Sequence, residues 1–253
     1  MPIQKKSISS IGDLLRALPS VFGTPKRTVW FRGHSCEDWK LLPSLIRPPN
    51  RADDEIVFFK RFKQHAFPFL DRIPQYEWEW LFLMQHYGVP TRLLDWSESP
   101  LVGMYFALLE PSARRDKSKN AVLWCLYPNE LNSISNLNLN PPYDIPCFGD
   151  DQVLESYLPS RVIGVQSAVY NPLAIIAPRQ FKRLYAQQGV FTLFHRNQSA
   201  IEVLGNQSHI FKLVIPVAAK DNLRKELEYL MINQLALFPE LEKVGRRVYE
   251  IQP

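Results

Sequence analysis

Two nearly continuous apolar segments, separated by a polar stretch, place the strongest constraint on how this chain folds. Residues 77–87, EWEWLFLMQHY, carry large apolar side chains on nearly all sides of a predicted helix, which is the pattern of a buried helix. Residues 99–111 begin with a serine suited to the N-cap and a proline suited to the first helical position, and they continue as LVGMYFALLE. Both helices are therefore expected inside the fold, with the other elements packed around them.

Shorter patterns predict the surrounding elements. Apolar alternation predicts strands at 28–33, 121–127, 190–194 and 210–215. Helical periodicity predicts helices at 53–70, at 220–235 and at 11–18, the last with Ser10 as N-cap and Leu14, Leu15 and Leu18 on one face. Residues 129–159 are the least regular and are interpreted as a long surface excursion, a substrate-facing lid. The fold class predicted is α+β, a single domain with a small, mostly antiparallel sheet flanked by several helices.

Composition excludes several classes of protein. Among 253 residues there are three widely spaced cysteines, which are interpreted as free thiols in a reducing compartment. No run of eighteen apolar residues exists, so no membrane span is expected, and the polar N-terminus predicts a cytoplasmic location. The five histidines show no metal-ligand spacing, and no metal is expected. The net charge of +5 is compatible with a nucleic-acid or nucleotide ligand without requiring one.

The polar stretch QHYGVPTRLLDWSESP, residues 85–100, is the first candidate site. It follows one buried helix and precedes the other, and functional groups are common on segments held by a rigid scaffold. His86 is expected at a helix C-terminus, where it would be partly stabilised as a cation. The remaining candidates are predicted at the same helix end or on a short irregular segment; they are Gln85, Tyr87, Thr91, Arg92 and Asp95. The alternative interpretation is a polar network that fixes the angle between the two helices.

Two further clusters lie elsewhere in the sequence. Alternation places Val29 and Phe31 on one face of the first predicted strand and Arg32 on the other. An arginine followed by Gly33 suits the close approach of a phosphate or ribose, although Arg32 could instead pair with a carboxylate such as Asp95. Residues 183–191, RLYAQQGVF, place Gln187 and Gln188 between a helix and a strand, where the alternative is two solvated glutamines.

Taken together, the segments VWFRGHSCEDWKLLPSLIR, EWEWLFLMQHYGVPTRLLDWSESPLVGMYFA and RLYAQQGVFTLF resemble the FRG domain family. The family is named for the triplet Phe-Arg-Gly, present here at residues 31–33. With the tail LALFPELEKVGRRV, the resemblance spans residues 10–248, and no second domain is predicted. The family resemblance implies a bacterial or phage conflict system, in which a toxin-like protein has an antitoxin or regulatory partner.

The order of the motifs is also similar to that of ADP-ribosyltransferases, which implies NAD as co-substrate. On this resemblance, the catalytic candidates are Arg32, His86, Thr91 and Asp95, and the cofactor contacts are Arg32, Gly33, Gln85, Tyr87, Arg92 and Gln188. The sequence departs from the pattern where a late-strand acidic residue is expected, because Gln187 or Gln188 stands there and Glu202 follows. The implied activity is transfer of ADP-ribose to a nucleic-acid or protein acceptor. The alternative is a non-catalytic module that binds a nucleotide, a nucleic acid or a protein partner through the same pocket.

Overall fold

The computed structural model describes residues 3–110, 113, 116–135, 145–164, 170–195 and 197–240. A seven-stranded mixed sheet organises this part of the chain, which confirms the α+β fold class. The strands are β1 Gln4–Ser7, β2 Trp30–His34, β3 Leu93–Ser97, β4 Ala121–Leu126, β5 Leu173–Ile175, β6 Gly189–Leu193 and β7 Ile210–Ile215. Their order is β1-β7-β4-β2-β3-β6-β5. β1 pairs with β7 in parallel, and the other neighbouring strands pair antiparallel, so the sheet is larger than predicted but mostly antiparallel, as expected.

The centre of the sheet is split. β2 pairs with β4 over the five residues from Trp30 to His34, and β3 pairs with β6 over five residues. Between β2 and β3, however, a single pair, Phe31 and Ser97, is in register. The sheet therefore consists of two halves, β1-β7-β4-β2 and β3-β6-β5, which meet at one narrow point and leave a gap beyond it.

Helices cover both halves of the sheet. They are α1 Ile11–Phe22, α2 Glu55–Ala66, α3 Glu77–His86, α4 Pro100–Leu108, α5 Pro128–Ser133, α6 Pro159–Gly164, α7 Lys182–Ala186, α8 Lys220–Tyr229 and α9 Gln234–Leu237. The predicted caps are confirmed, since the Ser10 side chain accepts from Asp13 N and the Ser99 side chain accepts from Val102 N. Short 3-10 segments, Ala52–Asp54 and Phe67–Phe69, flank α2 where one continuous helix was predicted. No helix among the described residues has the length and apolar character needed to span a membrane.

The apolar core lies on both faces of the sheet. α1, α4 and α8 pack on the face that carries Phe31, and Trp30 faces a second cluster on the other side, as the alternation predicts. α3 packs against β3, β5 and β6, and α2 packs on α3. The predicted inward position of Leu15 is wrong, because this side chain is 60% exposed. Of the two adjacent leucines, only Leu14 is buried, because neighbouring residues of a helix point in directions about 100° apart.

Gly33 allows α4 to lie directly on β2. A Cβ atom at this position would stand 2.1 Å from Ala107 N and 2.1 Å from Gly103 O, so only hydrogen fits there. This packing requirement explains the glycine of the Phe-Arg-Gly triplet without a ligand.

The segment 129–159 is not a surface excursion in its described parts, so that prediction is wrong there. α5 contributes the buried Leu131, and the 3-10 segment Gln152–Tyr157 contributes the buried Leu154 and Tyr157. Residues 136–144 of the predicted lid lie outside the described residues. Apolar side chains at intervals within an Asn- and Pro-rich sequence are enough to fix these parts against the core.

Candidate functional site

A cavity of about 790 Å³ opens where β2 and β3 separate. Its walls come from the two diverging strands, the loop after β2, and one face each of α3, α4 and α7. The polar side chains that line it include Arg32, His34, Asp38, Lys40, Arg47, Gln85, His86, Asp95, Glu110, Arg183 and Gln187. These groups come from both halves of the sheet and from the helices and the loop packed beside them. The fold therefore brings distant parts of the sequence to one site.

Arg32 spans the gap between the two strands. Its Nη1 donates to the backbone carbonyl oxygen of Asp95 at 2.5 Å, and its Nε donates to His34 Nε2 at 3.2 Å. No described residue accepts a hydrogen bond from its Nη2. Burial lowers the pKa of Arg32 to about 10, with Asp95 opposing this shift and Arg47 adding to it. The guanidinium therefore stays charged at neutral pH, with one nitrogen available to a ligand in the cavity.

His34 is held in one tautomer beside Arg32. Since its Nε2 accepts from Arg32, its Nδ1 carries the proton and donates to the carbonyl oxygen of Trp39 at 3.2 Å. Burial holds the pKa of His34 well below its usual range, and Arg32 and Arg47 lower it further. His34 is therefore a neutral support for Arg32.

Asp95 presents its carboxylate to the cavity from β3. Gln85 Nε2 donates to Asp95 Oδ2 at 2.8 Å, and Thr91 Oγ1 donates to Gln85 Oε1 at 2.5 Å. The Thr91 oxygen also accepts from Leu93 N at 3.1 Å, which fixes the direction of its hydroxyl proton. This relay sets the orientation of the Gln85 amide and hence the position of the carboxylate. The predicted irregular segment is wrong here, because Asp95 lies within a strand of the central sheet.

A second arginine adds to the positive charge of the cavity. Arg47 donates through Nε to the carbonyl oxygen of Leu42 at 2.8 Å. Burial lowers its pKa, and the charge of Asp95 opposes that shift. Arg32 and Arg47 therefore both lie within electrostatic reach of one carboxylate.

An aromatic wall closes the other side of the cavity. The His86 ring stacks on Phe181 with ring centres 4.5 Å apart and planes 8° apart. Burial lowers the pKa of His86, and Arg183 lowers it further, although Glu240 opposes the shift. His86 lies at the helix C-terminus as predicted, but loss of solvation and the nearby arginine oppose the partial stabilisation of its cation there.

The structure brings five of the predicted site residues into the cavity wall, and they are Arg32, Gly33, Gln85, His86 and Asp95. Four others do not line it. Thr91 is fully buried behind Gln85, and Tyr87 is exposed at the end of α3. Gln188 occupies a turn with φ of 46°, where its carbonyl oxygen accepts from Glu98 N, and the adjacent Gln187 lines the cavity instead.

Arg92 is the fourth residue outside the cavity. Its Nε donates to both carboxylate oxygens of Glu55 at 2.8 and 2.7 Å, and its terminal nitrogens donate to the carbonyl oxygens of Phe194 and Tyr157 at 2.7 Å each. Both Arg92 and Glu55 are only 3% exposed. All three nitrogens of Arg92 are thus used in holding α2, β6 and the 3-10 segment together. Ligand contact by Arg92, as predicted, has no geometric support.

Glu202 does not replace the acidic residue that the ADP-ribosyltransferase pattern expects on a late strand. This side chain accepts from Leu41 N at 3.1 Å, is buried and does not line the cavity. Among the described residues, the carboxylates that line the cavity are Asp38, Asp95 and Glu110. Groups of three or more His, Cys, Asp or Glu placed to hold a metal ion are absent from the described part of the chain.

Sequence reasoning missed several residues of the cavity. His34 follows the alternation that already placed Arg32 on this face of β2, so the signal for it was present. Arg47, Trp39 and Phe181 come from loops without periodicity, and Arg183 comes from a helix of five residues. Their positions depend on tertiary packing.

The comparisons with known proteins agree with the resemblance seen in the sequence. The family model of the FRG domain matches residues 27–116. No curated protein and no solved structure matches the chain. The wider span of 10–248 and the similarity to ADP-ribosyltransferases remain predictions. Residues 27–116 are thus a match to the FRG domain family, and this segment supplies Arg32, Gln85 and Asp95 to the cavity.

Proposed function

We propose that the cavity binds NAD and that the protein is an ADP-ribosyltransferase-like enzyme that transfers ADP-ribose to a macromolecular acceptor. The observation that carries this proposal is the position of Arg32 across the split between β2 and β3, with the carboxylate of Asp95 beside it. The cavity volume of about 790 Å³ lies within the range of small-molecule and cofactor sites. A role in a bacterial or phage conflict system, with an antitoxin or regulatory partner, rests on the family resemblance alone.

The arginines suit the diphosphate of NAD. A buried guanidinium is costly unless its charge is balanced and its donors are used, and Nη2 of Arg32 has no acceptor among the described residues. The free Nη2 of Arg32 can donate to a phosphate oxygen, and a hydrogen bond from a charged guanidinium gives direction as well as charge. Arg47, on the loop after β2, adds a second positive charge toward the same anion.

Asp95 suits the ribose. In ADP-ribose transfer, the bond between C1′ of the ribose and the nicotinamide nitrogen breaks with its electron pair moving to that nitrogen. C1′ becomes cationic, an acceptor atom then bonds to it, and the acceptor's proton is released. A fixed carboxylate stabilises the developing positive charge because it needs no reorganisation during the reaction. Gln85 and Thr91 hold Asp95 in place, and the stacked rings of His86 and Phe181 offer a surface for the nicotinamide.

A second candidate function, nucleotide binding without catalysis, is favoured by one observation. Gln187 lines the cavity next to β6, and its amide donates to the carbonyl oxygen of Leu237 at 3.0 Å. An amide in this position carries no charge to stabilise a cationic ribose. If catalysis depends on a carboxylate there, the cavity binds the nucleotide and leaves it intact.

The two candidates differ in nicotinamide release. Purified protein is incubated with NAD, with and without cell extract, and free nicotinamide is measured over time. The enzyme proposal expects release by the wild type and a fall of about a hundredfold or more in Asp95→Asn, which keeps the acceptor for Gln85 and loses the charge. The exposed Asp53→Asn serves as the control and should leave the rate unchanged. NAD binding without release supports the second candidate, and the absence of both contradicts the assignment of the cavity to NAD.

A further inference from the structure

We propose that a groove beside the cavity binds single-stranded nucleic acid and presents it as the acceptor of ADP-ribose. Its role as an acceptor site rests on the proposed function, whereas nucleic-acid binding by the groove does not. The groove has a volume of about 440 Å³ and is lined by Arg179, Gln180, Phe181, Lys182, Tyr185, Ala186 and Pro239.

The groove and the cavity share one wall. Phe181 lines both, and its ring stacks on His86 at the edge of the cavity. Arg183, two residues before Tyr185, lines the cavity side of the same short helix. A strand lying in the groove is therefore separated from the cavity by the ring of Phe181.

The chemistry of the groove combines positive charge with an exposed ring. Lys182 is exposed, and Tyr185 is 71% exposed although the adjacent Leu184 packs against the core. Arg179, at the edge of the groove, forms an ion pair with Glu98. Among the described residues that line the groove, none is acidic. Proteins that bind single strands use this pairing, in which basic side chains follow the phosphates and aromatic rings stack on the bases.

The exposed ring of Tyr185 favours a single strand of nucleic acid over other anionic partners. Bases in a duplex already stack on one another and leave little free face for Tyr185. An acidic peptide would use the charge of Lys182 and would gain little from the tyrosine ring. A single strand uses both, so the contribution of Tyr185 identifies the class of partner.

The test is fluorescence anisotropy with a labelled oligothymidylate on the full chain. Lys182→Ala combined with Tyr185→Ala should weaken binding about tenfold or more and reduce the slope of log affinity against log salt by about one. The matched control is Lys225→Ala combined with Tyr229→Ala, which removes another exposed lysine and a tyrosine that is 82% exposed on α8. This control should bind as the wild type does. Both double variants should keep the wild-type midpoint of thermal unfolding, because all four side chains are at the surface.

The outcomes separate this inference from the proposed function. Oligothymidylate binding that depends on Lys182 and Tyr185, in a protein that does not bind NAD, supports the groove and contradicts the proposed function. NAD cleavage without oligothymidylate binding overturns the groove. Equal loss of binding in both double variants overturns it as well, because the interaction is then general surface charge. A further outcome is that poly-glutamate, an anionic peptide, displaces the oligonucleotide while Tyr185→Ala alone leaves oligonucleotide binding unchanged. This result indicates an acidic protein partner and also overturns the proposal.

Discussion

Replacing Arg92 with alanine tests the view that this arginine is structural. The substitution removes both hydrogen bonds from Arg92 to the buried carboxylate of Glu55. It also removes the hydrogen bonds from Arg92 to the carbonyl oxygens of Phe194 and Tyr157. Breaking one partner of a buried ion pair costs about 3–5 kcal/mol of unfolding free energy. In a chain of this size, about 1 kcal/mol moves the unfolding midpoint by roughly 2–4 °C, so a fall of about 6–20 °C is expected.

The pH dependence adds a second signature. Burial raises the pKa of Glu55, and the charge of Arg92 opposes that shift, so Arg92→Ala should raise it further. At pH values above the ordinary Glu pKa of about 4.3, a carboxyl whose pKa is raised in the folded state binds more protons in the folded than in the unfolded chain. Stability of the variant should therefore fall as pH rises through this window. The deficit relative to wild type should be smaller near pH 5 than near pH 8.

The assay is thermal unfolding followed by circular dichroism at several pH values. The control is Arg51→Ala, which breaks an exposed pair with Asp54 and should cost less than about 1 kcal/mol. Replacing both Arg92 and Glu55 with apolar residues should recover part of the loss, since no charge is left unpaired. The reasoning is refuted if Arg92→Ala unfolds within about 1 kcal/mol of wild type at neutral pH while binding of NAD is lost.

Three other substitutions test separate parts of the structure. Gly33→Ala forces β2 away from α4 and should cost about 1–3 kcal/mol or more in urea unfolding. Gly12→Ala, whose Cβ would make only ordinary van der Waals contacts with the side chains of Ser10 and Arg16, should be neutral or stabilising by up to about 1 kcal/mol. Thr91→Val removes the hydroxyl that orients Gln85 and should cost about 1–3 kcal/mol and slow nicotinamide release, whereas Thr91→Ser should retain both properties. Because the pKa of His34 is depressed, the unfolded state binds more protons below about pH 6.5, so wild-type stability should fall as pH drops below that value. His34→Gln should flatten this part of the stability curve, and an unchanged curve would contradict the assignment.

Local signals in the sequence predicted the elements that depend on local physics. The N-caps of α1 and α4, the buried α3 and the strand β7 were read from capping residues and periodicity, which act within a few residues. β1 gives no such signal, because the residues of Gln4–Ser7 are exposed and polar and the strand is held by its backbone pairing with β7. β3 was missed because a proline and two charged residues lie close to its start, although its residues alternate between two buried faces.

The candidate site was predictable to the extent that its motifs are short and chemically distinctive. Arg32, Gln85 and Asp95 meet at one site, although Arg32 and Asp95 are 63 positions apart in the sequence. The role of Arg92 was not predictable, because its partner Glu55 lies 37 residues away on what the periodicity presents as an ordinary helix surface. Pairing of distant charges is decided by the packing of whole elements, and a single sequence carries no record of it.

Isothermal titration calorimetry of ADP-ribose with the wild type and with Arg32→Ala measures whether Arg32 binds a nucleotide diphosphate. ADP-ribose contains the diphosphate and cannot release nicotinamide, so binding is separated from catalysis. The wild type should bind ADP-ribose saturably at a single site. Arg32→Ala should lower the affinity about ten- to a hundredfold, and its thermal midpoint should fall much less than that of Arg92→Ala, because Arg32 donates to the backbone oxygen of Asp95 and leaves no carboxylate stranded. No binding by the wild type, or equal affinity in the variant, would contradict the claim that Arg32 holds a nucleotide diphosphate in the split of the sheet.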